Sequence, residues 1–279
     1  MMDRRSFLFG SGALALLAAA PLPALAQPRR FVPTRFSVET RGRGRDVLLI
    51  PGLMSGRHIW DAAVRATPGY RYHLLQVAGF AGEPVRGNES GRILAPLAEE
   101  ISRYIEANGL DRPAIVGHSM GGTLGMMLAA RYPARVDRLM VVDMLPRPTA
   151  LYGGTAGSNL AGMLDGLIDN AHARRAISGL IAAFSPPEDT GGSNADVVAR
   201  AMHDLGRIDL TNELGNIRAP LTVVYAAPDA RARATADAAF RTAYRGARGA
   251  RLLRMDNAGH LVMADQPRRF AQLLREFLG

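Results

Sequence analysis

The chain has 279 residues, of which 48% are hydrophobic, enough for a sizeable buried core in one or two domains. Its formal charge is +9, yet all 34 basic residues are arginine, scattered without a dense run or interleaved aromatics, which argues for base composition and against a nucleic-acid partner. The absence of lysine excludes Schiff-base chemistry and a P-loop, and the absence of cysteine excludes disulfides.

Residues 1–26 stand apart from the fold. Asp3-Arg4-Arg5-Ser6-Phe7-Leu8 resembles a twin-arginine export signal. An apolar stretch from Leu8 to Leu25 follows, broken by Gly10, Gly12, Pro21 and Pro23, and ends in the small-x-small pattern Ala24-Leu25-Ala26. The expectation is export through the twin-arginine translocation machinery, removal after Ala26, and a periplasmic or secreted protein. The alternative is an uncleaved membrane anchor, against which the glycines and prolines argue.

Thr34 to Thr40 alternates polar and apolar residues and predicts an edge strand. Asp46 to Ile50 is a continuous apolar run, as a central parallel strand requires, and leads into Pro51-Gly52-Leu53-Met54. A short helix is predicted from Ile59 to Ala66, a strand from Tyr72 to Val77, and an amphipathic helix from Arg92 to Asn108. Ala114 to His118 is the next buried strand, and Val136 to Val142, ending at Asp143, the one after the following helix. From 145 to 215 no continuous strand-like run occurs. Helical stretches near 160–168, 172–184 and 195–205, separated by glycine- and proline-rich breaks, predict an inserted helical cap. The core then resumes with strand Leu221–Tyr225, a helix over 235–244, strand Ala250–Met255 and a closing helix over 268–278. The fold class is therefore α/β, a doubly wound, mostly parallel sheet with core segments 27–144 and 216–279 and the cap at 145–215.

The chemistry concentrates at Gly117-His118-Ser119-Met120-Gly121, between a strand and an apolar helix that stops before Pro133. A strand that turns directly into a helix forces a tight bend, and the residue at the bend is pushed out at the carboxyl edge of the sheet. Gly117 and Gly121 flank it because side chains there would collide with neighbouring elements. Ser119 is thus presented as a nucleophile at a helix N-terminus. With an acidic residue after a late strand, at Pro228-Asp229, and Ala258-Gly259-His260 near the end, the chain resembles the α/β-hydrolase fold family in its esterase/lipase-like branch, over about 36–277.

That resemblance implies a serine esterase. Ser119 would be the nucleophile, His260 the base, and Asp229 the orienting acid, with Asp143 the alternative acid. The backbone N–H groups of Leu53 and Met120 would form the oxyanion hole, although Pro51 stands where the family usually has histidine. His118 packs beneath the site in similar enzymes, whereas His58, His73, His172 and His203 lack matching neighbours. Met54, Phe80, Met120, Met144, Leu145 and Val262 fall on site-facing loops, the cap adds Met163, Leu164 and Leu167, and Trp60 either packs in the core or touches substrate. The expected partner is a small apolar ester-like substrate. No metal or cofactor is required. Lactones, thioesters and carbon–carbon cleavage use the same triad, and two rival readings remain: a cofactor-free perhydrolase or haloperoxidase-like enzyme, and a slow-turnover ligand-binding receptor.

Overall fold

The computed structural model describes residues 31–150 and 192–279. The expected export segment, most of the expected cap, and with it Met163, Leu164 and Leu167 lie outside the described residues.

Seven strands form one sheet: β1 (Phe36–Gly42), β2 (Arg45–Ile50), β3 (Tyr70–Val77), β4 (Ala114–His118), β5 (Leu139–Val142), β6 (Leu221–Ala227) and β7 (Arg251–Asp256). Their order is β1-β3-β2-β4-β5-β6-β7. Only β1 runs antiparallel to its neighbour, so the expected mostly parallel, doubly wound sheet is found. The described helices are α1 (Asp61–Ala66), α2 (Leu94–Ala107), α3 (Met120–Arg131), α4 (Ala195–Arg207), α5 (Ala232–Ala243), α6 (Val262–Asp265) and α7 (Pro267–Leu278).

The apolar run of β2 shows how the sheet makes two cores. Successive side chains point to opposite faces. Leu48 and Ile50 join a cluster with Leu97 and Ile101 of α2 and Leu124 of α3, whereas Val47 and Leu49 join one with Ala63 of α1 and Phe270 and Leu274 of α7. Fully burying a side chain of this size stabilises by roughly 1.5–3 kcal/mol, so both faces must be covered.

Three of the boundary differences from expectation have a visible local cause. The helix at 59–66 is split, with a 3₁₀ turn over Arg57–Trp60 before α1. β5 begins at Leu139, not Val136, because Pro133–Arg135 forms its own 3₁₀ turn and delays the strand. β6 runs two residues further than expected, to Ala227, because Ala226 and Ala227 still pair with Met255 and Asp256.

Helix α4, the last of the expected cap helices, is tied to the core by polar contacts. The Asn194 side chain accepts from the Asp196 and Val197 N–H groups and caps α4, while its own N–H donates to the Gly79 carbonyl. Asp204 accepts from the Ile93 and Leu94 N–H groups, supplying partners that the start of α2 would otherwise lack.

Candidate active site

Among the described residues, seven non-glycine residues have positive φ. Five of them, Met54, Ala81, Ser119, Asp143 and Asn257, follow the carboxyl ends of β2, β3, β4, β5 and β7. Such conformations cost about 1–3 kcal/mol each and collect where a fold holds reactive groups, so the carboxyl edge of the sheet is the region to build from.

Ser119 sits between β4 and α3 with φ 52° and ψ −120°. Its N–H donates to the Val142 carbonyl and its carbonyl accepts from the Gly122 and Thr123 N–H groups, so both sides of the kink are held. The glycine requirement is physical. A Cβ on Gly117 would strike the Gly121 carbonyl, and one on Gly121 would strike the Ile50 carbonyl. Met120 is the first residue of α3, so its N–H has no acceptor within the helix. The loop after β2 passes directly over the serine, because a Cβ on Gly52 would lie 3.2 Å from the Ser119 Cβ. Leu53, half-buried, follows in that loop.

His260 lies on the loop after β7. That loop is held by the Gly259 N–H donating to Asp265 at 2.7 Å and by the Gln266 side chain donating to the Asn257 carbonyl at 2.9 Å. The His260 side chain is 42% exposed, and its Nδ1 lies 2.7 Å from Oδ2 of Asp143, a carboxylate only 9% exposed. A carboxylate accepts, so the ring proton sits on Nδ1 and the Nε2 lone pair is left open to accept another.

The acid beside His260 is therefore Asp143, which corrects the expectation of Asp229. Asp143 directly follows β5, at φ 49°, and is fixed by β6. Its N–H donates to the Val224 carbonyl at 2.7 Å, and its Oδ1 accepts from the Ala226 N–H at 2.9 Å. Asp229 is exposed, and its Oδ1 accepts from the Arg231 and Ala232 N–H groups at the start of α5. Because β6 is longer than expected, Asp229 is carried past the sheet edge and its carboxylate serves as a helix-start acceptor.

His118 is buried beneath the site. Its Nε2 lies 2.9 Å from the main-chain carbonyl of His260, and the two imidazole rings are 4.7 Å apart. Burial, reinforced by the positive charge His260 can take on, holds its pKa down to about 3, against the opposing bond to the carbonyl. His73 is a buried structural histidine, 2.8 Å from both Asp46 and the Tyr104 hydroxyl.

Met54, Phe80, Met120, Met144 and Leu145 all join the buried cluster on the α2–α3 face. Trp60 and Val262 belong to the opposite cluster. Trp60 is fully buried with its ring 6.2 Å from Phe270, so of its two expected places the core is the one observed. Two residues that the sequence reading did not single out shape the site. Gln76, buried at the end of β3, accepts from the Arg57 N–H at 2.8 Å and donates to the Phe80 carbonyl at 3.2 Å, joining the loops after β2 and β3. Tyr244 donates its hydroxyl to the Met144 carbonyl at 2.6 Å, bracing the chain just after Asp143. Burial, with the Asp143 charge nearby, raises its pKa well above the usual tyrosine range. A lone glutamine inside an apolar strand was the visible signal for the first; nothing local marked the second.

Residues 47–176 match the family model described as the alpha/beta hydrolase fold. Over 265 residues the chain is 26% identical to a pimeloyl-[acyl-carrier protein] methyl ester esterase of Aeromonas hydrophila, across 87% of this chain and 99% of that protein. A Caulobacter relative whose name provisionally assigns it carbamate hydrolysis is 27% identical over 195 residues, across 66% of this chain and 72% of that one. Among solved structures, a hydrolase from Pseudomonas aeruginosa superposes with a TM-score of 0.70 at 21% identity, covering 88% of this chain and 94% of that one, a likeness of fold.

Proposed function

We propose that this chain, which has the α/β-hydrolase fold, is a serine hydrolase that cleaves carboxylic esters through an acyl-enzyme intermediate. The observation that carries the reading is the 2.7 Å Asp143–His260 contact at the same sheet edge as the strained Ser119. A serine hydroxyl is a weak nucleophile near neutral pH and needs a base of fixed tautomer. Asp143 fixes that tautomer, His260 Nε2 takes the Ser119 proton as Oγ attacks the acyl carbon, and the Leu53 and Met120 N–H groups receive the oxyanion. His260 then protonates the leaving alcohol, and a water activated by the same nitrogen releases the acid. The esterase relative, matched over nearly its whole length, supports an ester as the scissile bond.

The test is hydrolysis of p-nitrophenyl esters of increasing acyl length by the wild type and Ser119→Ala. Activity lost in a variant that still melts normally supports the reading; unchanged turnover refutes it. We also infer that residues 1–26 direct export and are removed. Fractionation of the producing cells, with a mature N-terminus at Gln27, would support this, and a retained Arg4-Arg5 in the final protein would refute it.

A further inference from the structure

We propose that His118 is a positioning residue for the base: it holds the His260 loop over Ser119 and carries the oxyanion loop on its other edge. This rests on the serine-hydrolase reading above. The geometry is specific. The His260 carbonyl can only accept, so the proton of His118 sits on Nε2 and is donated there at 2.9 Å. Nδ1 is then an unprotonated acceptor, and it is buried with no hydrogen-bond partner. A buried acceptor left unsatisfied is unfavourable and calls for an explanation. What faces it is Gly52, whose missing Cβ would lie 2.8 Å from Nδ1 and 3.2 Å from the Ser119 Cβ. One imidazole therefore joins the elbow, through its own backbone, to the base loop, through Nε2, while its Nδ1 edge faces the glycine of the oxyanion loop, where only a residue without a Cβ fits. It remains neutral while His260 gains and loses a proton, so it holds the base loop without competing for that proton.

The function of such a strut is precision. His260 arrives from β7 and must reach back across β6 and β5 to the end of β4. Asp143 fixes the ring at Nδ1, but a single bond leaves the loop free to tilt about it. The carbonyl bond to His118 supplies the second attachment, on the main chain of the same residue.

The experiment is the second-order rate of labelling by an alkyl fluorophosphonate, in which the Ser119 Oγ–phosphorus bond forms, fluoride leaves and His260 takes the hydroxyl proton. Wild type, Ser119→Ala, His118→Leu, His118→Gln and His118→Asn are compared, with melting temperature and the downfield imidazole proton resonance of His260 followed in parallel. Glutamine can place an N–H where Nε2 stands, whereas asparagine reaches only to Nδ1. The expected result is labelling within about threefold of wild type for His118→Gln and a loss of ~10²-fold for His118→Leu and His118→Asn, the scale of a misplacement near 1 Å. The downfield resonance is retained in the glutamine variant and broadened in the other two. Wild-type rates in His118→Leu overturn the proposal, as does equal loss in the glutamine and asparagine variants at unchanged melting temperature. Should leucine unfold the protein, the glutamine–asparagine contrast decides alone. Failure of the wild type to label, or labelling of Ser119→Ala, instead overturns the serine-hydrolase reading itself.

Discussion

Replacing Asp143 by asparagine costs either catalysis or stability, according to which way the amide turns. In the native structure Oδ1 accepts from the Ala226 N–H at 2.9 Å and Oδ2 accepts from His260 Nδ1 at 2.7 Å. With the amide oxygen kept on Ala226, the amide NH₂ faces Nδ1 and drives the ring proton to Nε2, where it blocks removal of the Ser119 proton. With the amide flipped, the oxygen serves His260 but two N–H donors confront each other at Ala226. The first arrangement costs catalysis and the second costs stability, and a side chain only 9% exposed gives water little access to relieve either. A tautomer error of this kind costs about 10⁴-fold in rate, or roughly 5.5 kcal/mol of transition-state stabilisation. The stability change is expected at only about 1–2 kcal/mol, the price of one compromised buried hydrogen bond. The assay is kcat/KM on a short-chain p-nitrophenyl ester, with Asp229→Asn beside it. Asp229→Asn keeps the oxygen that accepts from Arg231 and Ala232 and is expected within about twofold of wild type. A larger loss in Asp229→Asn than in Asp143→Asn would refute the assignment of the acid.

The neutral His118 makes stability depend on pH. An unfolded histidine takes up a proton near pH 6.5, whereas buried His118 resists it until about 3. The stabilisation is fully present above pH 6.5 and is lost as pH falls towards 3, an upper bound of roughly 4–5 kcal/mol over that window. Urea midpoints from pH 8 to pH 4 should fall more steeply in the wild type than in His118→Gln; parallel slopes would refute the account. Gly121→Ala drives a methyl group into the Ile50 carbonyl and within 2.7 Å of the Pro51 carbonyl, neither of which is a flexible side-chain end. A destabilisation of about 3 kcal/mol or more is expected, read as a lowered melting temperature or loss of soluble protein.

What the sequence disclosed was what short range determines. The apolar runs of β2 and β4 and the glycine pair around Ser119 identify buried strands and a strained elbow, because each is a local steric demand. The choice between two aspartates depended on how far β6 extends before it turns, and that is set by pairing with β7. Local composition does not report it. The His118 bond to the His260 carbonyl joins residues 142 apart, and the positive φ of Met54 and Ala81 occurs at residues that carry no such preference. Trp60 could be read as core or as site wall until α7 was seen to supply Phe270 as its neighbour.

The register of the sheet explains why Asp143, just after β5, stands beside Ser119. His118 pairs with Val142 across β4 and β5, so Ser119 and Asp143 are the next residues on adjacent parallel strands. Both then take a positive φ, 52° and 49°. Their separation is set by the strand ladder, about 4.8 Å between neighbouring strands, and owes nothing to loop conformation. An acid after β6 stands one strand spacing further off and must reach back over β5. Here the hydrogen-bonded ladder continues through both residues, Ser119 donating to Val142 and Asp143 donating to Val224. Ser119 and Asp143 thereby belong to the hydrogen-bonded ladder of the sheet. His260 comes from a distant, half-exposed loop, and its two attachments, Asp143 at the ring and His118 at the carbonyl, come from the ends of those same two strands.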